Sequence, residues 1–496
     1  MTSPSETSSS ETSPAGLGVP VEQLRQAVDR AFPDTVERLC TLASIPGIAW
    51  EAFDAAELER SAEAVAELIR QNGLEDVRIL RVPRPDGELG GPAVVARKPA
   101  GPGRPTILLY AHHDVQPPGD PALWNSEPFT PVEREGRLWG RGVADDKAGV
   151  LAHWASLRAL TEVLGELPEL GITYFIEGEE EAGSPSFRAF LQEHRELLQA
   201  DVIVVADSAN WRVGIPALTT SLRGLVDGVI EVEVLDHAVH SGMFGGPVLD
   251  APTQLARLLA TLHDDDGAVA IEGLHRGPEP TVDYRDADFR ADASVLEELE
   301  LAGRGSLTSR LWAQPALSVI GIDAPAIAVS SNTIVPRAQA KVSLRLAPGQ
   351  DPVAAEEALK RHVESHAPAT ARVRFIPGER GQAFATDTSA PAAQDMLWAL
   401  STAWQADAVE AGMGGSIPFV ADLVELFPQA QILITGVEDP DSRAHSANES
   451  LHLAEFQRAI LAEALLLARL NGRSGGAADS KGTIGDGPLL KPSIDR

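Results

Sequence analysis

Histidine and carboxylate side chains at a few short stretches are the residues of this sequence whose types and spacing could do chemistry. The stretch 106–147 opens with an apolar run, 107–111, that delivers His112, His113 and Asp114, and it closes on Asp145 and Asp146 after glycines at 140 and 142. On an extended chain residues i and i+2 share a face, so His112 and Asp114 point together and His113 points away. A metal-binding imidazole usually gives its other ring nitrogen to a carboxylate, and a His-x-Asp step supplies both groups. The glycines let the backbone turn tightly before the acidic pair. Two aspartates ahead of a helix also simply complement its dipole, so a metal centre needs further donors elsewhere.

Three distant segments offer them. Glu179, Glu180 and Glu181 follow the apolar run of GITYFIEG, Asp207 ends DVIVVAD, and His445 stands in GVEDPDSRAHSANE after QILIT. Three acids in a row are, taken alone, the composition of a solvated loop. Position singles them out, because α/β sheets build their sites at the C-terminal ends of strands. Adjacent residues on an extended backbone diverge, so of Glu180 and Glu181 one can bind metal while the other serves as a base. Nitrogen and oxygen donors without thiolate suit zinc and also admit manganese or cobalt. Cys40 is the only cysteine, which excludes internal disulfides and a cysteine-built zinc site.

The elements that must position these groups follow from periodicity. At 496 residues the chain exceeds one hydrophobic core, and 44% hydrophobic residues suffice for two. Helical spacing covers 21–44, 52–71 and 147–164, with strands at 77–82, 93–96, 107–111, 172–176 and 202–206. That alternation predicts an α/β layer with a mixed central sheet flanked by helices. From 214 the style changes to strictly alternating strands, VDGVIEVEVL and AQAKVSLRLAPG, with helices at 251–262 and 352–366. This predicts an inserted α+β domain with one sheet face covered. The α/β style returns with helices at 390–405 and 451–470 around QILIT. The expected organisation is therefore a disordered tail over 1–18, a catalytic part over 19–213, an insertion over 214–384, a second catalytic part over 385–472 and a flexible tail over 473–496. A net charge of −31 excludes partners that need a basic face, nucleic acid and anionic membranes. No apolar run reaches the roughly 18 residues of a membrane helix, and the first 18 residues lack the pattern of an export signal, so the expected location is cytoplasmic.

In YAHHDVQP, GRGVADDKAG, EGEEEAGS, VVADS, HSGMFGG, NTIVPRAQAKVSLRLAPGQ, GGSIP and AHSANE the chain resembles the co-catalytic zinc peptidases. That group includes carnosinase-type dipeptidases, glutamate carboxypeptidase, aminoacylase and succinyl-diaminopimelate desuccinylase. The resemblance covers nearly everything between the tails. It implies that Asp145 bridges two divalent ions, that His112 and Asp207 complete one site, and that Glu181 and His445 complete the other. It further implies Asp114 behind His112, Glu180 as general base, a shared hydroxide as nucleophile and a cis peptide between Asp145 and Asp146. His240 would stabilise the oxyanion from the other subunit of a homodimer, making the insertion a lid and dimerisation domain. Asn332, Arg345, Gly414, Gly415 and Ser416 would hold the substrate, Arg345 by clamping its carboxylate. The chain departs from many carnosinase-type members at Met413, where they carry a charged residue. The implied activity is hydrolysis of dipeptides or short peptides with a free C-terminal carboxylate. Its alternatives are an N-acyl amino acid deacylase or desuccinylase, and a catalytically silent peptide-binding protein. His153 and the other scattered histidines read as structural.

Overall fold

A computed structural model of the protein describes residues 18–473 except Ser416, with Pro418 described by its backbone alone. The expected tails lie outside the described residues apart from Gly18 and Arg473, and so does Ser416 among the expected substrate contacts.

Apolar runs without alternation form the centre of a nine-stranded mixed sheet. Gly171–Glu177, Thr106–His112, Val202–Val205 and Gln431–Ile434 lie side by side in that order, all parallel. They are almost wholly buried, as strands covered on both faces must be. Asp76–Leu80 and Ala93–Lys98 extend one edge antiparallel. Ala217–Leu222, Phe384–Ala385 and Val409–Met413 complete the other. Helices Val21–Ala43, Lys147–Leu164, Pro391–Trp404 and Leu453–Gly472 share a core on one face. On the other, Phe187–Glu193 and Pro418–Leu426 enclose the rings of Tyr110, Phe175, Phe187 and Phe419. Helix Lys147–Leu164 starts where expected because Asp146 accepts from the Gly149 N–H, and it stops at Gly165, whose φ of 79° only glycine adopts freely.

A second, four-stranded sheet is antiparallel throughout, in the order Ala316–Asp323, Arg337–Leu346, Gly224–Glu233, Arg372–Gly381. Burial alternates along its two central strands, and helices Ala251–Ala260 and Pro352–Ser365 cover one face. Ala316–Asp323 has no counterpart among the expected strands. It is an edge strand with a register shift between Val319 and Gly321, so its apolar residues follow no period of two. Ala217–Leu222 and Phe384 fall by sequence style within the insertion, but their hydrogen bonds go to the large sheet.

His153 joins two of the covering helices. Its Nδ1 lies 2.9 Å from a Glu463 oxygen, its Nε2 lies 2.9 Å from the Tyr110 carbonyl, and all are buried. Burial works against the imidazolium, but Glu463 and that carbonyl outweigh it and hold the pKa above its ordinary value. A histidine raised in this way adds stability that is fully present below its unfolded pKa and is lost as pH rises through the folded one. Glu463→Gln is therefore expected to cost about 3 kcal/mol near pH 6 and clearly less near pH 9. Urea denaturation at the two pH values checks this, and an equal cost at both would refute it.

Candidate metal centre

Because the central strands are parallel, their C-terminal ends open on one side of the sheet. His112 is the last residue of its strand, and the turn Glu180–Ala182 follows Gly171–Glu177. Asp207 lies two residues past Val202–Val205, and the loop after Gln431–Ile434 carries His445. Asp145 arrives at the start of helix Lys147–Leu164. Its Oδ1 stands 3.0 Å from His112 Nε2 and its Oδ2 3.0 Å from His445 Nε2. Glu181 Oε2 is 3.1 Å from the same His445 nitrogen. Ligand atoms of His112, Asp145 and Glu181 lie within 4.8 Å of one another, as do those of His112, Asp146 and Asp207.

The neighbouring aspartates have different work. Asp146 accepts from the His112 N–H at 3.1 Å and from the Gly149 N–H at 3.2 Å, so main chain occupies both its oxygens. Asp145 keeps both of its own turned to imidazoles. The peptide between the two is cis. Asp114 lies 3.4 Å from His112 Nδ1 through Oδ1, and its carboxylate also receives the N–H groups of Glu180 and Glu181, each at 3.1 Å. It thereby fixes the histidine and the acidic turn together. His113 points away as expected, into the core, where its Nε2–H donates to Pro92 O at 2.8 Å and its Nδ1 lies 3.1 Å from Ser61 Oγ.

The donor set fits a pair of divalent cations, because the pocket is short of positive charge. Burial first, then Asp145 and Glu181, push the Asp207 carboxyl up to about 6. Burial, then Asp207, Glu177 and Asp114, push Glu180 to about 9 against the pull of His112. His445 is driven up to about 11 by its bonds to Asp145 and Glu181. The residues present thus form a candidate di-metal site with oxygen and nitrogen donors only.

Several supporting residues were not singled out in the sequence. Gln116 donates to Glu181 through both its backbone and its side chain, at 3.1 and 2.7 Å. Glu438, half-buried near the site, is held well above the ordinary carboxylate range by desolvation and by Asp145 and Asp207. Glu449 is fully buried and receives Arg141 Nη1 at 2.6 Å and the N–H groups of Gly142, Ala144 and Asp145 at 3.0, 2.9 and 3.1 Å. It ties down the loop that presents Asp145, from four positions after His445 in the same motif. Glu449→Ala would strand the buried Arg141 charge and three N–H groups, so an expected loss of about 3 to 5 kcal/mol, with weakened metal retention, can be read by urea denaturation and metal analysis.

The expected substrate residues divide into two places. Arg345 stands on strand Arg337–Leu346 near Arg223, whose guanidinium is pushed down to about 10 by burial and by the Arg345 charge. Arg223 in turn donates to the Gly414 carbonyl at 3.0 Å, which brings Arg345 and the glycine pair to one neighbourhood. A Cβ on Gly414 would meet that guanidinium at 3.1 Å, whereas Gly415 borders open space. His240 and Asn332 lie elsewhere and are exposed, His240 on a short strand paired with Thr333–Ile334 and Asn332 just before that partner, its carbonyl accepting from Ser241 N–H at 2.9 Å. The ring of His240 accepts from the Gly242 N–H of its own turn, not from any of the metal-site residues.

Residues 108–469 match the model of peptidase family M20/M25/M40. The chain belongs to that family. It is 34% identical over 414 residues, 82% of this chain and 89% of the other, to the cysteinylglycine-S-conjugate dipeptidase of Corynebacterium striatum. It is 26% identical to the Cys-Gly metallodipeptidase DUG1 of Saccharomyces cerevisiae, across 87% of this chain and 94% of that one. Human carnosine dipeptidase 1 has the same fold, with a TM-score of 0.71 at 23% identity over 91% of this chain and 99% of its own.

Proposed function

We propose that the protein is a di-metal dipeptidase that hydrolyses the amide bond of a short peptide with a free C-terminal carboxylate. The observation that carries this reading is one carboxylate, Asp145, lying between His112 and His445 with Glu180 beside them. Asp145 would be shared by two ions, His112 and Asp207 completing one site and Glu181 and His445 the other, with zinc the metal these donors favour. When bound, such a pair lowers the pKa of a shared water and polarises the scissile carbonyl. Glu180, its carboxylate only partly exposed and 3.9 Å from His112 Nε2, then takes the proton from water and hands it to the leaving nitrogen. Arg345 would pair with the substrate carboxylate, and the small Gly414 and Gly415 would let the substrate approach the main chain. The relatives named for Cys-Gly and carnosine cleavage support a dipeptide over an acyl amino acid. Comparing rates on dipeptides with those on acetyl and succinyl amino acids tests this, and faster release from the acyl compounds would overturn it.

A homodimer is part of the proposal. The edge strand Ala316–Asp323 leaves Val319, Ile320 and Ile322 exposed, and Met243, Phe244, Ile327 and Val329 flank His240 and Asn332 in the same state. Open strand edges and clustered apolar side chains call for a cover, and a second copy supplies one while carrying His240 to its partner's site. His240→Ala and Asp145→Ala are each expected to be inactive alone and to regain activity when co-expressed, because a mixed dimer holds one intact site. Silence of the mixed sample would place His240 outside the reaction in trans. A cytoplasmic location is part of the proposal, and a single cysteine, which can form no internal disulfide, accords with it.

A further inference from the structure

A cavity of about 360 Å³ is reached by the segment that follows the candidate ligand Asp207. Ser208, the residue after Asp207, is on its wall, and so is Gly414. Three of the other lining residues are aromatic: Trp211, Tyr284 and Trp312. Trp211 lies with its ring centroid 4.8 Å from that of Tyr284 and 5.6 Å from that of Trp312, the two indoles crossing at 78°. The whole chain has eight tryptophans and three tyrosines, so gathering three of them at one cavity is a concentration and not a sample.

Three further features hold this wall in place. The polar groups around it pair among themselves: Ser208 Oγ with Thr219 Oγ1 at 2.9 Å, and the Asn210 side chain with Gly436 O at 3.3 Å and Ala217 N at 3.1 Å. Most of the surface that faces the space is aromatic and aliphatic, including Ala411 and Met413. Gly412 lets the strand touch the indole face, since a Cβ there would fall 2.5 Å from Trp312 Cγ. Arg212, next to Trp211, binds Asp288 at 3.1 Å and so pins helix Asp286–Asp292, just past Tyr284, against the opposite wall.

We propose that this cavity receives a bulky aromatic side chain from the N-terminal residue of the dipeptide. The inference rests on the dipeptidase reading above and names the substrate class. The carbonyl under attack belongs to the N-terminal residue, so that residue's side chain branches off within two bonds of the reacting carbon and close to Asp207. The other side chain branches off beyond the amide nitrogen, toward the carboxylate held at Arg345. A pre-formed apolar cavity with few polar groups is the usual receptor for such a side chain.

The test compares kcat/KM on S-benzylcysteinylglycine and alanylglycine. The wild-type enzyme is expected to prefer the former by about tenfold or more, the scale of discrimination by a filled apolar pocket. Ala209→Phe, which fills the cavity from its wall, is expected to bring that ratio to one or below. Tyr284→Ala, which removes a wall from outside the metal-bearing sheet, should lower the ratio through KM with kcat little moved. Cleavage of alanylglycine with a wild-type ratio near one, or a ratio that neither variant moves, overturns the cavity assignment and leaves the dipeptidase reading standing. A preference that appears only when the bulky group is on the C-terminal residue also overturns it. Failure to cleave any dipeptide overturns the dipeptidase reading itself.

Discussion

Glu180→Ala protein is expected to keep its full metal complement while kcat falls by about 10²- to 10⁴-fold, the usual worth of a positioned proton carrier. Its carboxylate is 3.9 Å from His112 Nε2, farther than any of the close pairs that Asp145 and Glu181 make with the histidines. The turn that carries it does not depend on its side chain, because Asp114 holds the Glu180 and Glu181 N–H groups. Removing the carboxylate therefore deletes a proton acceptor and spares the cage. Glu180→Gln keeps the shape without the basicity and should fall equally far. Metal analysis alongside single-turnover rates decides the matter, and a variant that retains wild-type kcat would refute the base assignment.

Asp145→Ala is expected to fail in the opposite way, losing metal and activity together. One carboxylate serves both histidines, Oδ1 toward His112 and Oδ2 toward His445, so no other side chain can replace both contacts. Groups that only support a ligand typically cost ten- to a hundredfold in metal affinity, and a ligand shared by two ions should exceed about a hundredfold. The fold should survive, since Glu449 anchors the loop through the main chain of residues 142–145 and through Arg141, all of which the substitution leaves in place. Dialysis against a mild chelator followed by metal analysis reads the loss. Retention of both ions would mean that Asp146, the neighbouring acid within reach of His112 and Asp207, can take over the bridge.

How much of this was legible in the sequence follows from the kind of signal each feature leaves. The central strands were legible because continuous apolar runs leave few alternatives, and the strand ends then located His112, Asp207 and the acidic turn. The division of labour between Glu180 and Glu181 was not legible from spacing and came through the resemblance. Glu449 left no signal of its own, since it acts on backbone N–H groups that every residue possesses. Arg223 was hidden likewise, working through the carbonyl of Gly414. The edge strand Ala316–Asp323 was missed because exposure on both faces removes the alternation that marks a half-buried strand. The cavity beside Asp207 was illegible because Trp211, Tyr284 and Trp312 are far apart in the chain and meet only by packing.

The position of Gln431–Ile434 reaches beyond catalysis. This strand inserts between Val202–Val205 and Ala217–Leu222, which emerge from the ribosome more than two hundred residues before it. A growing chain must keep that slot vacant, with two apolar flanks unprotected, until residues 431–434 arrive. A polypeptide arrested before residue 431 lacks both the wedge that closes the sheet and His445, so the large sheet and the full donor set are completed by the same late segment.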